Sequence, residues 1–313
     1  MPSTEYVSYL NFGETVVTVT LQITSIIFMS NLLYCSLARS PFFAVRSKLS
    51  NSLLFYLCGH IMFSGLMLIY NFYLVIFWRP PGAQYAYTPM GLYWMGLTNT
   101  NYVILAPLFV LQLTLDRSLT LAFGHRYSIF YQKCLMGLVA VVICITFIGT
   151  TFVSVLELPL DLDKVSQCPN FPCLLLKYRT QPQVVAKNVF TTLNLIGCLS
   201  FFYIHKRSSN KSWTAKVLKN RVVKCTVIFG LCFEIIPGYI FTAFGLLTGE
   251  NMTNYVGQYG ILLCCMDAAV CSIFYSKILL QRRHCSFTKA ITISNGKTRP
   301  FTKGTIAFSQ SEE

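Results

Sequence analysis

The chain has 313 residues, of which 54% are hydrophobic and only 12% charged, with a formal net charge of +14. A soluble chain of this length would divide into about two domains, but so apolar a composition excludes that division and points to one membrane domain. The basic excess does not point to nucleic acid, because the Lys and Arg residues sit beside apolar stretches, where anionic cytoplasmic lipid is the natural partner.

Residues 1–14 form a short head without a positive n-region, so no cleavable signal is expected and the first apolar stretch serves as the targeting signal. A membrane span needs about 20 predominantly apolar residues. Seven stretches qualify, near 15–38, 52–77, 91–115, 134–156, 184–205, 225–247 and 257–280. They predict an all-α membrane protein, a seven-helix bundle over 15–283. The remaining 284–313, basic and rich in Ser and Thr, reads as a disordered cytoplasmic tail.

Orientation follows from the connections, since basic residues in short loops stay cytoplasmic. Twenty of the 25 Lys and Arg residues fall on one side of the zigzag, in 39–51, 116–133, 206–224 and from Lys277 on. The other side holds Arg79, Lys164, Lys177, Arg179 and Lys187. The amino terminus is therefore expected outside and the carboxyl terminus inside. On this topology Asn251-Met252-Thr253 is a glycosylation acceptor on the lumenal side, whereas Asn210-Lys211-Ser212 is not. Cys285, just past the seventh span beside Arg282 and Arg283, is a candidate for S-palmitoylation.

An enzyme needs a convergent set of nucleophile, base or metal ligands, and the apolar spans supply too few. There is no His-Glu-x-x-His, no Gly-x-Ser-x-Gly and no Walker-type loop, and no metal-site spacing among the 13 cysteines. Neither a cofactor nor a metal is expected. Most cysteines lie inside spans as small packing residues. Cys168 and Cys173 lie in an outer segment, where either a disulfide closing the small loop or two free thiols is compatible with the spacing.

Ionisable groups at mid-membrane are costly and usually functional or paired. Glu234 and Asp267 each lie about ten residues into a span, roughly 15 Å deep, and are placed to share a proton, a cation or a hydrogen-bond network with His60. Pro107 and Pro237 each remove a helical hydrogen bond and predict kinks. Pro237, one turn after Glu234, is the candidate hinge. In the third span Trp94, Thr98, Asn101, Tyr102 and Leu105 recur at helical spacing, predicting a polar and aromatic face that descends from the outer mouth into the bundle. Trp94, Thr98, Asn101, Tyr102, Glu234 and Asp267 are the candidate ligand-binding residues.

The third span ends in Leu113-Thr114-Leu115-Asp116-Arg117, followed by Gly124-His125-Arg126-Tyr127. With the topology above, this resembles the seven-helix G-protein-coupled receptors, whose third helix ends in an acid followed by Arg. More narrowly it is similar to the nematode serpentine chemoreceptors, possibly class bc. That resemblance implies a plasma-membrane receptor for an odorant or pheromone, in the cilium of a chemosensory neuron, which activates a heterotrimeric G protein. It further implies coupling through Asp116, Arg117, Arg126 and Tyr127, with Asp116 restraining Arg117 until agonist binds. The sequence departs from the pattern in several places. Gly124 stands where the nematode receptors have Pro, the third span lacks an outer cysteine, the sixth reads Cys232-Phe233-Glu234-Ile235-Ile236-Pro237, and the seventh has no Asn-Pro-x-x-Tyr. The rival from another class is a multi-span transporter or ligand-gated channel with Glu234 and Asp267 as ion ligands. Transporters commonly carry internal repeats, and none is visible here.

Overall fold

Seven helices are long and apolar enough to cross a membrane: Tyr6–Leu37, Asn51–Phe77, Pro89–Phe123, Ile129–Glu157, Gln181–Arg207, Arg221–Thr248 and Tyr259–Leu279. They make this an all-helical bundle and suggest a multi-pass membrane protein. The computed structural model describes residues 4–37, 43–45, 49–80, 87–158, 171–174, 181–208, 214–248, 255 and 257–282. The helices are α1 (Thr4–Leu37), α2 (Asn51–Phe77), α3 (Pro89–Phe123), α4 (Ile129–Glu157), the single turn α5 (Phe171–Leu174), α6 (Gln181–Ser208), α7 (Thr214–Gly230), α8 (Ile236–Thr248) and α9 (Tyr259–Leu279). A π-helical segment, Leu231–Ile235, joins α7 to α8. The one sheet-like pairing among the described residues lies beyond the helix ends, where β1 (Phe43–Val45) runs antiparallel to β2 (Leu280–Arg282), with Ala44 opposite Gln281.

Local chemistry explains the helix ends. Ser50 caps α2 by accepting the Leu53 N–H at 3.3 Å, satisfying a donor the first turn leaves orphaned. Pro89 opens α3, where its missing N–H costs nothing. Gly124 closes α3 at φ +56° with its N–H bonded to the Thr120 carbonyl. A proline there is impossible, since its ring holds φ near −65° and it has no N–H to donate, so the departure at Gly124 goes with how this helix stops. α1 begins at Thr4, well before position 15, and its first turns rest on the end of α2: Phe12 and Trp78 have ring centroids 4.5 Å apart.

α3 is the central helix, with 72% of its most apolar window buried against 11% for α4. It touches α2, α4, α5, α6, α7 and α9, while α1 packs on α2 and α9. The main core joins Tyr56, Met67, Leu105, Phe109, Phe201 and Tyr275. Gly59 lets the Phe109 ring lie directly on the α2 backbone, where a Cβ would collide with it. A second cluster closes the end of the bundle that carries Trp94. There Phe171 of α5 lies on Gly96, which likewise has no room for a Cβ, and its N–H donates to the Tyr70 hydroxyl at 3.3 Å.

Candidate functional site

α6 turns a polar stripe inward: Gln183, Lys187, Thr191, Asn194 and Cys198 recur every three or four residues and so share one face. Gln183 donates to Glu157 of α4 at 3.0 Å and to Ser154 at 3.1 Å. Thr191 and Asn194 are buried, yet Thr191 Oγ1 and Asn194 Nδ2 have no hydrogen-bond partner among the described residues. Asn194 Oδ1 accepts from the Cys198 thiol at 3.5 Å. Facing this stripe, the π segment carries Glu234, buried, with Oε1 also unpartnered among the described residues. α9 brings Cys264 and Asp267, one turn apart. Asp267 is buried, and its Oδ1 accepts from the Cys271 thiol at 3.7 Å.

Glu234 lies within electrostatic reach of Lys187 and Cys198 of α6, Tyr102 of α3, and Cys264 and Asp267 of α9. Lys187 sits toward the Trp94 end, half-buried over Gly260, where a methyl group would be 3.8 Å from Nζ. The result is a buried polar cluster on packed faces of α3, α6, the π segment and α9. The widening of the helix at Leu231–Ile235 has an identifiable cause. Pro237 lacks an N–H, and its ring crowds the carbonyl of residue 233; a π turn is one way to relieve that conflict, and such turns occur frequently at functional sites.

The face expected on α3 is divided by its central position. Asn101 points to α4, with Thr150 and Thr151 as partners, the latter at 3.3 Å. Tyr102 points instead to α2, its hydroxyl 2.7 Å from His60 Nδ1. Thr98 is half-buried. Trp94, expected to line the bundle, is 55% exposed and meets Tyr93 edge-on. A helix covered on most of its sides has no single inward face, because consecutive residues point about 100° apart and most find a different neighbour. His60 bonds Tyr102 rather than either acid; its ring is 4.3 Å from that of Tyr56, and its Nε2 is buried without a partner among the described residues. Pro107 is buried within an unbroken α3.

At the opposite end of α3, Asp116 and Arg117 are both buried. Arg117 Nε is 3.7 Å from Asp116 Oδ2, and Nη2 donates to the Ser50 hydroxyl. Asp116 Oδ1 accepts from Tyr127 at 3.2 Å and from Gln132 Nε2 at 3.0 Å, and Gln132 also donates to Ser52. Burial and the neighbouring Asp116 carboxylate push the Tyr127 phenol above its usual range, which keeps it protonated as a donor. The start of α2, the end of α3 and the start of α4 are thus tied through one carboxylate and one guanidinium. Arg126 is exposed.

Ser50, Gln132, Lys187, Thr191 and Asn194 were not singled out from sequence. The α6 stripe carried a readable signal, since Gln183, Lys187, Thr191 and Asn194 are polar at helical spacing within an apolar span. Ser50 and Gln132 carried none, being ordinary polar residues near helix ends. Cys168, Asn210, Asn251 and Cys285 lie outside the described residues, as does the Cys173 side chain. Among the described residues no cluster of three His, Cys, Asp or Glu side chains is arranged to hold a metal ion. A separate cleft between α1, the end of α2 and Gln258, lined by Asn11, Phe12, Trp78 and Tyr87, has a volume of about 20 Å³, room for a single water.

No family model matches the chain, and no curated protein matches it significantly.

Proposed function

We propose that the chain is a chemosensory seven-helix receptor of the plasma membrane, amino terminus outside, which binds a small external molecule at the polar cluster within the bundle and activates a heterotrimeric G protein. The observation that carries this reading is the Asp116–Arg117 pair at the end of α3, tied to α2 and α4 through Ser50, Tyr127 and Gln132. Arg offers a rigid fork of five donors, and held in this way it is withheld from any partner that approaches that end. Agonist binding must favour an arrangement in which the fork is released, and it does so only by its difference in affinity for the two arrangements. The π segment before Pro237 carries Glu234, a residue of the polar cluster, on the irregular part of the α7–α8 span, where a change at the cluster can alter the course of α7.

A transporter or channel reading draws on the same buried acids, as ion ligands, but gives Arg117 no task. Arg117→Ala therefore separates the two. The expected outcome is loss of agonist-stimulated nucleotide exchange with surface expression and agonist affinity kept within about twofold, because Arg117 lies about 24 Å along α3 from the level of Asn101 at 1.5 Å per residue. Normal exchange at matched surface density would refute the receptor mechanism.

A further inference from the structure

The cleft between α1, the end of α2 and the start of α9 holds two unpaired polar atoms of opposite kind. Asn11 of α1 and Trp78 at the end of α2 both line it, beside Phe12, Leu74, Tyr87 and Gln258. Asn11 Oδ1 and Trp78 Nε1 are each buried, and neither has a hydrogen-bond partner among the described residues. Three neighbouring groups are already engaged. The Thr15 hydroxyl donates to the Asn11 carbonyl at 2.7 Å, the Tyr87 hydroxyl to the Leu74 carbonyl at 3.1 Å, and the Gln258 N–H to Glu14 Oε2 at 2.6 Å. Packing holds both residues in place. The Trp78 ring lies against α1, its centroid 4.5 Å from that of Phe12 and 5.6 Å from that of Tyr9. Asn11 Oδ1 is directed at the start of α9, where a Cβ on Gly257 would lie 2.8 Å from it and would collide with Glu14 Oε2. Gly257 sits there at φ +76°, a backbone angle that glycine adopts freely.

An amide oxygen only accepts a hydrogen bond and an indole N–H only donates one. A single occupant that satisfies both must therefore donate to Asn11 and accept from Trp78. A cation cannot accept from Trp78. An anion cannot donate to Asn11 and would approach the Glu14 carboxylate. A hydroxyl group does both, and a volume of about 20 Å³ has room for one oxygen of that size. We propose that this cleft is a hydroxyl-binding site, in which one neutral O–H donates to Asn11 Oδ1 and accepts from the Trp78 indole N–H. Water supplies such a group, and so does the head of an alcohol or sterol whose hydrocarbon stays outside in the lipid. An oxygen bridging two polar groups in this way is nearly as good as a direct hydrogen bond. It joins the first helix to the second beside the Glu14–Gln258 bond that joins the first helix to the last. The site involves neither agonist nor G protein, so it stands or falls apart from the receptor reading.

The experiment is nuclear magnetic resonance of the indole N–H in the full chain, with Trp94→Phe and Trp213→Phe leaving Trp78 as the single tryptophan. The chain is placed in phosphatidylcholine nanodiscs, whose lipid carries no hydroxyl, in the same discs with cholesterol, and in the same discs with 1-hexanol. The indole proton is expected downfield, at a hydrogen-bonded position, with through-space transfer to it from the bound hydroxyl. Transfer from water in the plain discs identifies water as the source; a bonded proton only after cholesterol or hexanol is added identifies an alcohol. Asn11→Leu removes the acceptor and should move the proton upfield and abolish the transfer. Gly13→Ala, with nothing near the added carbon, should leave both unchanged. If Asn11→Leu does not fold, the transfer seen with Asn11 in place decides. An indole proton that is free in all three discs, that receives transfer only from a group of the protein, that stays bonded in Asn11→Leu, or that is lost equally in Gly13→Ala overturns the proposal.

Discussion

On the receptor reading proposed above, removing the charge of Asp116 raises basal activity without agonist. Its carboxylate lies 3.7 Å from the Arg117 guanidinium, and at an effective dielectric near 20 that separation corresponds to an attraction of about 4 kcal/mol before desolvation and side-chain entropy are subtracted. Only the part lost when Arg117 leaves counts toward the equilibrium. If a third of it is lost, the released arrangement is favoured by about 1.4 kcal/mol in the variant, a tenfold gain in population while that arrangement remains the minor one. Asp116→Asn is the right substitution, because Asn keeps the shape and one oxygen that can still accept from Tyr127 or Gln132, which isolates the charge. The assay is basal nucleotide exchange in membranes at matched surface density, with no agonist, and the expected rise is about tenfold. Tyr127→Phe and Gln132→Leu each remove one hydrogen bond to the carboxylate and leave the Arg117 contact, so each should raise basal exchange less than Asp116→Asn does. Basal exchange at the wild-type level in Asp116→Asn, or higher in Gln132→Leu than in Asp116→Asn, would show that the pair does not restrain Arg117.

Two further outcomes test the fold and its orientation. Gly96→Val drives a side chain into the Phe171 ring and should destabilise by about 1–3 kcal/mol, the usual cost of overpacking; Gly137→Ala, with nothing near the added carbon, should be neutral or stabilising by up to about 1 kcal/mol, and equal melting temperatures for the two would refute the α5 packing. With the amino terminus outside, a glycosidase-sensitive mass shift is expected at Asn251 and none at Asn210, and sugar at Asn210 would invert the topology.

The spans were legible because the membrane imposes a simple rule, about 20 apolar residues in a helix that satisfies its own backbone. Their ends were less so. α1 starts before its apolar window with Phe12 packed on Trp78, and α3 runs past its window through Asp116 and Arg117, whose side chains are tied to Ser50, Tyr127 and Gln132. Hydropathy cannot register such contacts. The β1–β2 pairing joins segments more than 200 residues apart with no alternation to announce it, and its register, Phe43 opposite Arg282, follows from where α1 and α9 end.

The candidate site divides along the same line. Glu234 and Asp267 stood out in sequence because a charge inside an apolar span is expensive wherever it points, and Arg117 because it follows Asp116 at the inner end of the third span. Asn101 and Tyr102 also stood out, but a helical stripe gives direction only for a helix with one covered side, and α3 is covered on most of its sides. α6 is the opposite case. Much of it is exposed, its apolar outer face includes Val185, Val189, Ile196, Leu199 and Tyr203, and its polar residues gather on the other face, where they meet Glu234 and α9. In water the outward face of a surface helix is polar; in lipid it is apolar, so in a bundle edge helix the polar stripe marks the interior. By that inversion the polar spacing over 183–198 marks the inward face of α6, and Lys187, counted in sequence only among the outer-side charges, belongs to that face through its spacing from Gln183 and Thr191 rather than through its charge.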